Sequence, residues 1–375
     1  MAATAGVTFC VTWTELRAAQ ASDPVTQKVS EISKDLSSYF IDDYDETKLG
    51  DAAADAMIQA TGDRWSYYIS AADYAAYEEQ VNNAYAGVGM TIRSTDNGEG
   101  YEILSVAAGG PAEAGGVKVG DVLLKVGDQS VLDLGRDGTV DAVRGEAGTD
   151  VALTLSRDGK DYSVTLERKD IQTPVAVKTM TDDNIAVIKI ANFDTNCAAE
   201  TIAEVDEAVA AGAKGIVFDV RNNPGGLKTE LVKVLDHLLP AGPLFRSRDY
   251  AGKELVDTSD ASCVTLPMAV LVNGDSYSAA EFFAAAMQEY KAATIVGTKT
   301  CGKGNFQYTY RLTDGSAIAI STGKYFTPNG VSLTNVGITP DKAVALGEAD
   351  TEKLLEGQLS AKDDAQLQAA LAAVR

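Results

Sequence analysis

From Asn184 onward the chain alternates between two kinds of apolar segment. IAVIKIANF, KGIVFDV, MAVLV and ATIVG are strand-like. Between them, AETIAEVDEAVAAGA, LKTELVKVLDHLL and the run opening with AAEFF carry apolar residues at helical spacing. Strand and helix in alternation imply crossover connections, and crossovers place strands side by side in parallel with helices over the sheet faces. The pattern therefore predicts an α/β core. In open sheets of this kind, ligands gather outside the carboxyl ends of the strands, so chemistry is sought in the loops that follow them.

The rest of the chain has other textures. Residues from about 13 to 84 read as helical, with Asp23-Pro24 and Asp45-Glu46 as start signals and Ser70 to Asp73 suggesting a further start. From Ala84 the runs GVGMTIR, YEILSV, GDVLLKVGD, DVALTLSRDG and KDYSVTLERK are short and β-rich, separated by glycine-containing turns. GGPAEAGGV and LGRDGTVDAVRG each have room for a short helix, which describes a compact β-rich domain of its own. A late β segment, GSAIAISTGKYFTPNG, precedes two C-terminal helical runs, EADTEKLLEG and DDAQLQAALAAV.

Charge and composition exclude several functions. The formal net charge of −22 leaves no basic surface to neutralise phosphates, so nucleic acid is not an expected partner. Cys10, Cys197, Cys263 and Cys301 lie far apart without a CxxC pair, so no metal site or disulfide framework is expected, although one bridge stays open. No 20-residue apolar segment spans a membrane. The apolar start MAATAGVTFCVTW, residues 1–13, reads as the tail of a removed signal or anchor. The single histidine, His237, ends an apolar helix-like run before Pro240, where a structural role is expected. A Ser-His-Asp triad would need this residue as its base, so any proton transfer is expected to use another group.

Three stretches at strand ends could carry chemistry. In NGDSYSAAEFF a strand turns sharply into a helix with Ser278 at the joint. Ser278 with Glu281 also fits a capping box. RNNPGGLKTE, from Arg221, exposes backbone N–H groups around Gly225 and Gly226, a cradle for an anion or simply a proline turn. TKTCGKGNFQ places Lys303 between Gly302 and Gly304. A serine hydroxyl needs a base, and Lys303 is the available substitute for histidine. Such a lysine must be neutral to act, and burial is the usual way to favour its neutral form.

The ordered set NPGG, SYSAAE and GKG, with Lys303 25 residues after Ser278, resembles the carboxyl-terminal processing proteases, the S41 serine endopeptidases. GDRWSYYISAADYAAY resembles their N-terminal segment, GPAEAGGVKVGDVLLKVGDQSV their PDZ domain and KYFTPNGVSLTNVGITPD their late strand block. The resemblance covers nearly everything from about residue 25 to the end. It implies a ClpP/crotonase-like α/β protease core over 171–345, an inserted PDZ domain over 85–170, and helical segments over 1–84 and 346–375. It makes Ser278 the nucleophile, Lys303 the general base and Gln307 the residue that orients the lysine. The oxyanion hole would combine the Ala279 N–H with one from Gly225 or Gly226. GVGM, Gly87, Val88, Gly89 and Met90, resembles the PDZ loop that binds a peptide carboxylate, and Arg144 a family arginine that couples PDZ domain to protease. No cofactor or metal is implied. The expected partner is a protein or peptide with an exposed C-terminus, and a homo-oligomer stays open. Membrane contact is expected only through an N-terminal anchor, and the setting is bacterial and extracytoplasmic.

This sequence departs from the family pattern at Tyr277, Ala280 and Cys301, each beside a proposed catalytic group. The alternative to a protease is a peptide-binding PDZ module whose protease domain is latent or degenerate. A second alternative is a penicillin-type acyl enzyme, since STGK, Ser321 to Lys324, fits Ser-x-x-Lys. That motif opens a helix in such enzymes, whereas here it lies inside a β-like run.

Overall fold

A computed structural model describes residues 23–375 apart from positions 96 and 261; the apolar start, residues 1–13, lies outside the described residues. The chain divides into two units after Gly62. The first contains helices Pro24–Tyr39 and Glu46–Gln59, whose N-termini are capped by the Asp23 and Asp45 carboxylates, as the sequence signals predict. The second unit contains three packed parts.

Its core sheet has six strands in the order Ala176–Met180, Ile185–Ile190, Gly215–Asp219, Met268–Val272, Ala293–Gly297 and Lys342–Ala343. The first pairing is antiparallel and the other four are parallel. Side chains alternate between two buried faces. Ile216, Phe218, Val270 and Val272 face helices Cys197–Ala210, Lys228–Leu238 and Ala279–Glu289. Val217, Ala269, Leu271 and Val296 face the C-terminal helix Ala365–Ala373. Burial on both sides explains why these strands read as continuous apolar runs.

The C-terminal helix is also held by charge. Arg221, 5% exposed, donates to Asp219 at 2.7 and 2.9 Å and to Gln366 at 3.0 Å, and it pairs with Asp364 at 2.8 Å. Burial works against its charge, but the hydrogen bonds to Asp219 and Asp364 outweigh it and hold the guanidinium firmly protonated. Arg221→Met leaves two carboxylates buried without a cation, so a stability loss of about 3–5 kcal/mol is expected by urea unfolding at pH 7. A loss under about 1 kcal/mol would mean that the apolar contacts of the helix suffice.

A second sheet carries residues toward the loops at the strand ends. Ala317–Phe326 pairs antiparallel with Asn305–Arg311, with Gly242–Asp249 and with the short strand Tyr67–Ile69. The helical reading of residues 13–84 therefore fails at Tyr67–Ile69. Cross-strand hydrogen bonds to a segment 250 residues away decide that conformation, and local periodicity does not register them. The Ser-x-x-Lys stretch, Ser321 to Lys324, lies inside the central strand of this sheet.

The β-rich part between has its own core around Val88, Ile103, Leu123, Leu153 and Leu155. Its sheet runs Met90–Ser94, Tyr101–Val106, Val122–Val126, Asp150–Arg157 and Lys160–Glu167, with helix Val131–Val143 alongside. Strands Ala84–Gly87 and Lys169–Gln172 pair antiparallel, so the chain leaves and rejoins the rest of the unit at one neck.

Candidate active site

The elbow at Ser278 is built from the turn that follows a fully buried strand. Ser276 donates to the Val220 carbonyl at 2.7 Å, the Tyr277 N–H to the Asn223 carbonyl at 3.1 Å, and Asn273 to Asn222 at 2.6 Å. These bonds lace the elbow to the turn at the end of the neighbouring parallel strand. Ser278 itself has φ 57° and ψ −125°, a positive-φ conformation outside the regions allowed to L-residues that serine adopts only under constraint. A strained serine at a strand-to-helix turn presents its hydroxyl outward, the geometry of a nucleophile elbow.

The glycine turn presses on this elbow. A Cβ on Gly225, which has φ 92°, would stand 2.7 Å from Ser278 Cβ, and one on Gly226 would stand 2.4 Å from the Phe193 carbonyl carbon. Only glycine permits both approaches. The Gly225 N–H donates to Asn223 Oδ1 at 2.8 Å.

Glu281 joins the elbow to the lysine loop. Its carboxylate is completely buried and accepts from the Ser278 N–H at 3.1 Å, the Thr300 hydroxyl at 2.6 Å, and the Gly302 and Lys303 N–H groups at 2.7 and 2.8 Å. Burial raises its pKa, while these four donors oppose the rise. The sequence reading assigned Glu281 only a capping role. Its grip on a loop twenty residues further on depends on tertiary contact and has no local signal.

Lys303 is partly buried, and burial lowers its pKa against the opposing charges of Asp63, Cys301 and Glu281. Its ammonium lies 4.8 Å from the Trp65 ring centroid and 5.8 Å from that of Tyr277. The Gln307 amide donates to Ser321 Oγ at 2.9 Å and, at 3.4 Å, to the Asn305 carbonyl. Among the described residues, no hydrogen bond joins Gln307 to Lys303. Ser278, Lys303, Gln307, Gly225 and Gly226 line one cavity of about 340 Å³. Ala279 opens the helix beneath it, whose N-terminus favours negative charge.

The cavity also holds residues that sequence reading does not single out, Trp65 and Asp194 among them. Asp194 follows strand Ile185–Ile190 closely, so the strand-end rule could have found it. It is 9% exposed, and burial pushes its carboxyl up to about 7.

A second groove, about 300 Å³, lies between strand Met90–Ser94 and helix Val131–Val143 and is lined by Gly87, Val88, Gly89 and Met90. Gly89 has φ 76°, and the Val88 and Gly89 carbonyls accept from the Ala112 and Ala107 N–H groups. Arg144 ends that helix, pairs with Glu79 at 3.8 Å and stacks 4.8 Å from the Tyr85 ring centroid. His237 lies in the last turn of helix Lys228–Leu238, 3.0 Å from Asp206 and outside the cavity that Ser278 and Lys303 line. Cys197, Cys263 and Cys301 are unpaired, and Cys10 lies outside the described residues.

Residues 184–344 match Peptidase family S41, and residues 102–157 match a PDZ domain. The carboxy-terminal processing protease CtpA of Bacillus subtilis (strain 168) is 31% identical over 327 residues, 86% of this chain and 70% of that protein. The chain belongs to peptidase family S41, among the carboxy-terminal processing serine proteases. A probable CtpA-like serine protease of Staphylococcus haemolyticus (strain JCSC1435) is 32% identical over 85% of this chain and 64% of its own length. Among solved structures, the photosystem II D1 C-terminal processing protease aligns with a TM-score of 0.50 at 27% identity, covering 84% of this chain and 86% of that one. The S41 chain thus carries a PDZ domain ahead of an α/β core, and its family is that of serine-type proteases.

Proposed function

We propose that this S41 chain is an endopeptidase that captures a protein C-terminus in its PDZ groove and cleaves peptide bonds through an acyl-enzyme at Ser278. The observation that carries this reading is the single cavity shared by a strained serine, a desolvated lysine and a glycine cradle. Lys303 takes the Ser278 proton as the hydroxyl attacks the carbonyl, then returns it to the leaving amine. Gln307 orients the lysine, after releasing Ser321. Because the Gly225 N–H is already committed to Asn223, the Gly226 N–H is the better partner for Ala279 in the oxyanion hole.

The domain limits follow the same reading: PDZ 85–170, protease 171–345 and flanking segments outside them. The loop from Gly87 to Met90 holds the substrate carboxylate through N–H groups, since two of its carbonyls are engaged inside the domain. Arg144 couples the groove to the cleft. Its partner Glu79 sits on helix Tyr74–Val81, and Tyr77 on the same helix lines the catalytic cavity. The protease acts outside the bacterial cytoplasm, a placement that rests on the family. No helix among the described residues is long and apolar enough to cross a membrane.

The test is cleavage of one unfolded polypeptide with an apolar C-terminus, offered with a free carboxylate or as its amide. Cleavage of the free form at least about tenfold faster is expected, because a carboxylate held by several N–H groups gains a few kcal/mol. Equal rates would remove the PDZ groove from substrate selection. No cleavage of either form would favour the peptide-binding module.

A further inference from the structure

Asp194 is a carboxylate in the wall of the Ser278 cavity to which none of the described residues donates a hydrogen bond. It is 91% buried by its 9% exposure, and it lines the same cavity as Ser278, Lys303 and Gly226. Among the described residues, no side chain or N–H group donates to its carboxylate, and no cation pairs with it. The charges that act on Lys303 are those of Asp63, Cys301 and Glu281, so the catalytic lysine does not serve as its counterion. Burying a carboxylate is costly unless something pairs with it. A residue kept in that condition at the edge of a substrate cavity is built for a group that arrives with the substrate.

The position of Asp194 says which part of the substrate that is. A Cβ added to Gly226 would lie 2.7 Å from Asp194 Oδ1, so the carboxylate packs directly on the Gly226 backbone. Gly226 is the proposed oxyanion donor, and the carbonyl under attack sits over it. The side chain that reaches Asp194 therefore belongs to a residue flanking the scissile bond. Tyr67 and Tyr77 line the cavity on neighbouring elements and offer aromatic surface to an aliphatic stem. We propose that Asp194 is a specificity residue that receives a basic side chain, lysine or arginine, from a residue next to the scissile bond. The inference rests on the endopeptidase reading of this cavity.

Burial holds the empty Asp194 near 7, so the preference belongs to the alkaline side of neutrality. Tyr67, from strand Tyr67–Ile69, and Cys197, from helix Cys197–Ala210, are the titratable groups that feel its charge. Burial pushes both up to about 12, so neither ionises across this range. Tyr77 faces Tyr67 from helix Tyr74–Val81, and Arg64 and Lys303 are the cations of the cavity.

The experiment uses two peptides that differ only by lysine or norleucine at one flanking position, tested on each side of the bond in turn. Both are C-terminally amidated, which removes the carboxylate that the PDZ groove would hold. In the parent protein the lysine/norleucine ratio of kcat/KM is expected to be about 10 or more at pH 8.5 and to approach 1 at pH 5.5. In Asp194→Asn the ratio is expected near 1 at both values, and Asp194→Glu is expected to restore part of it. Affinity for the same peptides is measured by fluorescence anisotropy with Ser278→Ala, alone and combined with Asp194→Asn. A ratio near 1 in the parent at pH 8.5, or one unchanged by Asp194→Asn, overturns the proposal. Lysine-selective binding to Ser278→Ala without any cleavage by the parent would uphold the subsite and overturn the endopeptidase reading instead. Cleavage without charge preference would do the reverse.

Discussion

Ser278→Ala is expected to lower kcat/KM for peptide hydrolysis by at least about 10³-fold, and Lys303→Met to do the same, while both variants keep the parent's thermal unfolding profile to within a few degrees. The alanine removes only the attacking oxygen, because the Ser278 N–H bond to Glu281 belongs to the backbone and survives. Methionine fills the volume of the lysine stem without a proton acceptor. Residues that act as a unit are not additive, so the double variant is expected to be no slower than the slower single one. Lys303→Arg should be as inactive as Lys303→Met, since a guanidinium does not release its proton in a protein.

The pH profile follows from the same residue. With Lys303 as the proposed base the neutral amine is the active form, so kcat/KM is expected to rise with pH, with a midpoint that burial places below the ordinary lysine value of 10.5. The cation-favouring Trp65 ring and the Asp63 charge limit how far it falls. Activity that survives Ser278→Ala sinks the nucleophile assignment. A pH profile unchanged by every substitution at Lys303 sinks the base.

The second large effect is expected at Glu281, which touches no substrate and acts through the groups it holds. Glu281→Ala leaves the Ser278, Gly302 and Lys303 N–H groups and the Thr300 hydroxyl without an acceptor in a fully buried site. Each such orphan costs about 1–3 kcal/mol, enough together to threaten folding. Glu281→Gln keeps the shape and half the acceptor capacity, so it is the informative variant. Each oxygen accepts from two of the four donors, so the amide NH₂ must face two of them and push a donor aside. A displacement of about 1 Å between nucleophile and base costs on the order of 10²-fold in rate. The loss is expected in kcat, with KM little changed, because the cavity walls that contact substrate stay in place. Slowed phosphonylation of Ser278 by a fluorophosphonate would report the same displacement without any substrate. A Glu281→Gln variant of reduced stability but parental kcat would make the carboxylate a purely structural knot.

Much of this protein could be read from its sequence, and the reasons are physical. Alternating strand and helix periods near Ile185, Ile216, Val270 and Ile295 record a sheet buried on both faces, because each buried position demands an apolar residue whatever its neighbours in space. Asp23 and Asp45 mark helix starts because capping is local, complete within three residues. Ser278, Lys303 and the glycine pair were legible because they sit at strand ends, where the fold class alone says ligands gather.

What the sequence withheld involves partners far apart in the chain. Tyr67–Ile69 is a strand only because residues 317–319 pair with it, and that pairing brings Trp65 to the ammonium of Lys303. Three of the four donors to Glu281 come from the loop at residues 300–303, and only the Ser278 N–H is announced near residue 281. The Gly225 N–H is spent on Asn223, a choice made by the conformation of one turn. Asp194 reads as an ordinary polar residue after a strand until its burial, and the absence of a donor to it among the described residues, are known. Local chemistry determined which elements form and which residues are equipped to react. Tertiary packing alone decided which donors are spent, which charges lose their water, and so which groups remain available to a substrate.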